Sequence, residues 1–134
     1  MIDPKELRIG NLVQFDNDSS VFAVSEINAT GVEVYNQYEE TWIELDQFSP
    51  IPLTPEWLER LGFERNLVDN YWIDNQFFVS IHNLRDVIHY NFSVYMGDDN
   101  EPFGLEVKSV HQLQNLYHAL TGQELTVKEL TPTL

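Results

Sequence analysis

The sequence predicts an α+β fold: a small N-terminal antiparallel barrel or curled sheet, a short linking helix, and a second antiparallel meander covered by a C-terminal helix. Three observations predict it. Short β-branched and aromatic runs fill residues 12–45 and 71–107, broken by Gly, Asn and Asp turn residues. A Thr-Pro start and a Gly stop enclose residues 55–61. Residues 109–125, SVHQLQNLYHALTGQEL, repeat apolar residues at helical spacing. The 134 residues suit one domain, or two small subdomains sharing a core, with residues 1–52 in the first and 53–134 in the second.

The elements follow in order. Residues 12–15 form a strand after Gly10, and the polar run DNDSS at 16–20 is a loop. Residues 21–27 alternate, with Val21, Ala23, Ser25 and Ile27 on one face and Phe22, Val24 and Glu26 on the other. Residues 28–31 turn the chain, and 32–35 and 41–45 are two more strands around a polar insert. The number and spacing of these strands resemble SH3-like barrels. Pro50 and Pro52 end the sheet, Thr54 caps a short helix, and Trp57, Leu58 and Leu61 form its apolar face. Gly62 stops it, and Phe63 should fold back on Leu58. In the second meander, residues 71–73 and 76–81 flank Asp74 and Asn75 as a two-residue turn, and 83–86 make the next connection. Residues 87–95 are the longest strand. Their Ile88, Tyr90, Phe92 and Val94 face is the expected platform for the C-terminal helix. That helix should start with a capping box of Ser109 and Gln112 and end at Gly122. Val110, Leu113, Leu116, Tyr117 and Leu120 are its apolar face, and Gln112, Gln114, Asn115 and His118 its other side. Residues 126–134 show no pattern.

Charge bounds the function more tightly than composition. The formal net charge is −15, and residues 9–59 hold ten carboxylates and no Lys or Arg. A groove that tracks phosphates needs clustered Lys and Arg, so direct nucleic-acid binding is not expected. The expected partner is a protein with a basic surface, although solubility alone also accounts for such charge. The absence of cysteine excludes disulfides, thiolate catalysis and cysteine-held metals. The start MIDPKELRIG lacks an apolar run of signal-peptide length, and no stretch approaches membrane-spanning length. A cytoplasmic location without membrane association is expected. No pattern speaks to oligomeric state.

Three segments, ELRIGNLV at 6–13, IPLTPEWLERLGF at 51–63 and VHQLQNLYHALTGQEL at 110–125, resemble in the same order a family of small uncharacterised bacterial and phage or mobile-element proteins. The resemblance implies no activity, cofactor or catalytic residue.

Candidate sites are few. His111, Asn115 and His118 follow one another at i, i+4 and i+7, but zinc helices pair His at i, i+4, and these two histidines lie roughly 10 Å apart by helical rise. A solvated face is the better reading. Asp98, Asp99, Asn100 and Glu101 gather oxygens, yet Gly97 and Pro102 break calcium-loop spacing. No nucleophile elbow or glycine-rich phosphate loop is present. No metal, cofactor or catalytic residue is expected. One constellation has a mechanism: Asp16, Asp18, Tyr35, Tyr38, Glu39, Glu40 and Trp42. In an SH3-like barrel, the acids of the first loop and the aromatics of a later one share an end. Aromatic grooves edged by acids take extended basic or proline-rich peptides. The competing expectation puts Tyr35 and Trp42 in the core and Tyr38 loose on a loop. Three functional classes follow: a non-catalytic, acidic protein-binding or accessory module; an acidic decoy of a nucleic-acid-binding surface; and a small-ligand-binding protein or enzyme with no recognisable motif.

Overall fold

Five short strands between residues 12 and 49 pair into one antiparallel sheet. The computed structural model describes residues 2, 4–16, 20–44, 46–66, 70–74, 76–95, 103–125 and 127. A 3-10 turn at Pro4–Glu6 precedes β1 (Leu12–Phe15), β2 (Val21–Ile27), β3 (Gly31–Tyr35), β4 (Glu40–Glu44) and β5 (Phe48–Ser49). The strand order is β4-β3-β2-β1-β5, a meander whose last strand returns to its first. Val13, Phe22, Val24, Val32, Val34 and Ile43 pack on the inner face with the fully buried Phe48. The alternation expected along β2 breaks at a bulge. Val24 lies opposite Val34, but Glu26 lies opposite Glu33 and Ile27 opposite Val32. The skipped residue, Ser25, donates its hydroxyl to the Glu33 carbonyl at 3.0 Å. An extra residue shifts the faces that follow it, so Ile27 rejoins the core and Glu26 turns outward.

The linking helix α1 (Pro55–Arg60) starts and stops as its sequence dictates. Thr54 Oγ1 accepts the Trp57 N–H at 3.2 Å. Gly62 takes φ 99°, and the Gly62 and Phe63 N–H groups donate to Glu59 and Leu58, each at 3.0 Å, closing a Schellman motif. The second antiparallel sheet comprises β6 (Glu64–Arg65), β7 (Tyr71–Ile73), β8 (Phe77–Leu84), β9 (Val87–Val94) and β10 (Phe103–Val107), in the order β10-β9-β8-β7-β6. Phe77 and Phe92 stack at 5.7 Å beside the buried Val79. Two turns differ from expectation. Ile73 faces Phe77, so Gln76 lies outside β8 and not in the strand as expected. Arg85 and Asp86 both adopt left-handed φ, which closes a two-residue turn and carries the β8–β9 ladder on to Leu84 and Val87.

The final helix, α2 (Val110–Thr121), packs against β1. One compact unit joins Met1–Pro52 to Ser109–Leu134, and Leu53–Lys108 forms the other. The helix therefore belongs with the first sheet, which corrects the assignment of residues 53–134 to one subdomain and of the helix to the second meander. The connection is tied locally: Ser109 bridges Pro52, and the Val110 N–H donates to Ile51 at 2.9 Å. Val110, Leu113 and Tyr117 are buried as expected, but Leu116 is only half-buried and Leu120 is 51% exposed. The capping box does not form, because the Ser109 hydroxyl makes no capping bond and sits 3.1 Å from His111 Nδ1. Gly122, at φ 74°, ends the helix as expected. Of residues 126–134 only Val127 is described, and it is buried; residues 98–101 lie outside the described residues. Among the described residues no helix is long and apolar enough to cross a membrane.

Candidate functional site

The bulge in β2 builds an outward face. Residues directly opposite in an antiparallel pair share one side of the sheet. Glu26, Glu33 and Trp42 therefore form one outward row, and Tyr35 and Glu40, beside the buried Ala23, the next. Gly31 makes room for the indole: a Cβ there would meet the Trp42 ring at 2.8 Å and clash with the Ile43 carbonyl. A hydrogen bond to the Glu26 side chain holds the Glu33 carboxyl above the usual carboxylate range, and the charges of Glu26 and Glu40 push it the same way.

Of the residues singled out from sequence, Tyr35, Glu40 and Trp42 lie on this face, and the core positions of their strands belong to Val32, Val34 and Ile43. Trp42 is 42% exposed. Tyr38, 84% exposed, and Glu39 lie on the turn after β3, where Asn36 Oδ1 accepts both of their N–H groups. The same Asn36 donates to the Val21 carbonyl at 3.4 Å, beside the loop that Asp16 opens. The first loop and this turn thus share one end of the sheet. Asp16 is exposed, and Asp18 lies outside the described residues. Glu39, Thr41 and Trp42 line a cavity of about 150 Å³ with Phe15, Phe22 and Gln47. Sequence reasoning missed Glu26, because a bulge leaves no mark in simple alternation, and with it the pairing of Glu26 opposite Glu33.

A second polar site was also missed. Gln114 is fully buried; its Oε1 accepts the Leu12 N–H at 2.8 Å, and its Nε2 donates to the carbonyls of Leu125 at 2.9 Å and Gly10 at 3.2 Å. Asn115 Oδ1 accepts from Arg8 Nη1 and Asn11 Nδ2 at 2.7 and 2.8 Å, and its Nδ2 donates to the Glu6 carbonyl at 2.7 Å. Arg8 also pairs with Glu124. Helix amides therefore satisfy backbone groups at the start of β1, in the segment leading into it and after α2. This corrects the expectation of a solvated face at His111 and Asn115; His118 remains partly exposed, 3.8 Å from Glu124. His111 is 2% exposed, and its Nε2 has no hydrogen-bond partner among the described residues. Burial holds its imidazole below the usual histidine range, and the Glu6 carboxylate opposes that shift. Lys5, Glu6, Arg8, His111, Gln112 and Asn115 line a cavity of about 300 Å³.

Chemically, the first site offers aromatic faces framed by acids, and the second offers hydrogen-bonding groups beside two cations. Ser109 and His111 make a hydroxyl–imidazole pair, and both are buried. Among the described residues no three His, Asp or Glu side chains gather closely enough to hold a metal ion. Compared with protein-family models, curated proteins and solved structures, the chain matches none.

Proposed function

We propose that this chain is a non-catalytic protein-binding or accessory module, and that the outward face of β2–β4 receives a basic, extended segment of a partner protein. The observation that carries this is Trp42 and Tyr35 set among Glu26, Glu33 and Glu40 on one side of the sheet. Carboxylates crowded enough to raise the Glu33 pKa repel one another, and an arriving Lys or Arg relieves that repulsion. Trp and Tyr rings add cation–π attraction. β4 is an edge of its sheet, so an extended segment has main-chain groups to pair with. Asp16, Tyr38, Glu39 and Glu40 extend the acidic and aromatic character to the adjoining end, and the resemblance to phage and mobile-element proteins suits an accessory role.

The test is capture from host lysate at low and high salt, with identified partners re-measured as purified proteins. Binding should weaken steeply with salt, since exposed charges mainly set steering and salt dependence. It should fail with Trp42→Ala and with the combined charge reversal of Glu33, Glu39 and Glu40. A partner held equally by wild type and both variants would place the interface elsewhere. The ten-acid, no-base stretch also favours a narrower version, an acidic decoy of a nucleic-acid-binding surface. In that case the captured partner binds nucleic acid, and added DNA displaces it.

A further inference from the structure

The cavity beside α2 contains a contradiction that a ligand would resolve. In a chain of net charge −15, which has seven Lys and Arg in all, two of them, Lys5 and Arg8, stand at one small cavity. The start of a helix stands there too: His111 and Gln112 lie in the first turn of α2, and the Ser109 side chain does not cap it. The first turn of a helix carries positive partial charge, although here the Val110 N–H already donates to Ile51. Into this wall is set an almost wholly buried imidazole whose Nε2 has no protein partner among the described residues. Where Nδ1 accepts the Ser109 hydroxyl proton, Nε2 carries the hydrogen and is a donor in search of an acceptor. A buried donor left unmade costs free energy, so a bound acceptor gains on entering.

We propose that this cavity binds a small oxyanion, a carboxylate or phosphate group, with His111 Nε2 as the inner donor, the first turn of α2 behind it, and Lys5 and Arg8 at the rim. The charges around the cavity favour a ligand of low charge. Glu6 lines the same cavity, and Glu124 already pairs with Arg8, so the side chains together contribute no net positive charge. The helix terminus and the unmet donor therefore supply the selectivity. The site is separate from the outward face of β2–β4, and its occupancy does not depend on any protein partner.

The test uses the full chain and two probes, sodium acetate and sodium phosphate, each titrated against sodium chloride at matched ionic strength. Matching matters because salt alone should alter so acidic a protein. The expected result is a saturable shift of the His111 ring resonances and of the His111 and Gln112 amides with at least one of the two anions, and none with chloride. Acetate alone would identify a carboxylate site, and phosphate alone a phosphate site. Lys5→Ala, at an exposed position, should weaken binding about fivefold, as for the loss of one exposed charge pair. His111→Asn keeps a polar atom near Ser109 and deletes the Nε2 position, so it should abolish the saturable shift while the amide spectrum stays dispersed. Shifts that follow ionic strength alone, or that persist in a folded His111→Asn, would overturn the proposal.

Discussion

Gln114→Leu tests how α2 is held to its sheet. Leucine matches the size of the side chain and favours a helix as much as glutamine does, so the substitution removes hydrogen bonds with little change in volume or propensity. Three backbone groups then lose a partner: the Leu12 N–H and the Leu125 carbonyl in buried surroundings, and the Gly10 carbonyl in a part-buried one. A buried polar group left unsatisfied costs roughly 1–3 kcal/mol. Two such groups, with Gly10 able to find water, put the loss at about 2–6 kcal/mol. A Leu on a solvated helix face would change stability by less than about 0.5 kcal/mol. Urea unfolding followed by circular dichroism separates the two, with Leu120→Ala, at an exposed position of the same helix, as the neutral control. Hydrogen exchange at the Leu12 amide should accelerate in Gln114→Leu before global unfolding is affected. A cost below about 0.5 kcal/mol with an unchanged Leu12 amide would refute the claim that this amide anchors β1.

Other measurements bear on the remaining features. Gly31→Ala sets a methyl against the Ile43 carbonyl and the Trp42 ring, so it should destabilise by about 1–3 kcal/mol and shift Trp42 fluorescence towards the red. Because folding lowers the His111 pKa, the unfolded chain binds the extra proton first as the pH falls. The stability due to neutral His111 is full above the unfolded value near 6.5 and is lost as the pH drops from there to the folded value; His111→Asn should flatten this part of the wild-type pH profile. Glu33 has the opposite sign. Its raised folded pKa means that the ionised form opposes folding above the unfolded pKa, so Glu33→Gln should raise the melting temperature at neutral pH, with a gain that shrinks in acid and in salt. Raising NaCl should raise the wild-type melting temperature as well, since the chain carries fifteen uncompensated negative charges.

What could be read from sequence was whatever neighbours along the chain decide. Thr54, Pro55, Gly62 and Gly122 set helix ends through local backbone geometry, and each does so in the structure. What could not be read was decided by groups far apart in sequence. Whether Glu26 faces out depends on a bulge between β2 and β3, and whether Gln114 is buried depends on backbone groups of Gly10 and Leu12, about a hundred residues earlier. Yet one signal for the second was present. The twelve residues of α2 contain no Lys, Arg, Asp or Glu, in a chain with 22 acids. Solvated helix faces are usually charged, because charge keeps them in water and pairs along the turn. Glutamine and asparagine can both donate and accept, which a carboxylate or an ammonium cannot, and that is what an irregular backbone with both N–H and C=O groups exposed requires. An uncharged, amide-rich face on an otherwise acidic chain therefore points to burial against loop backbone, and hydrophobic periodicity misses it because it counts every polar residue as a vote for solvent.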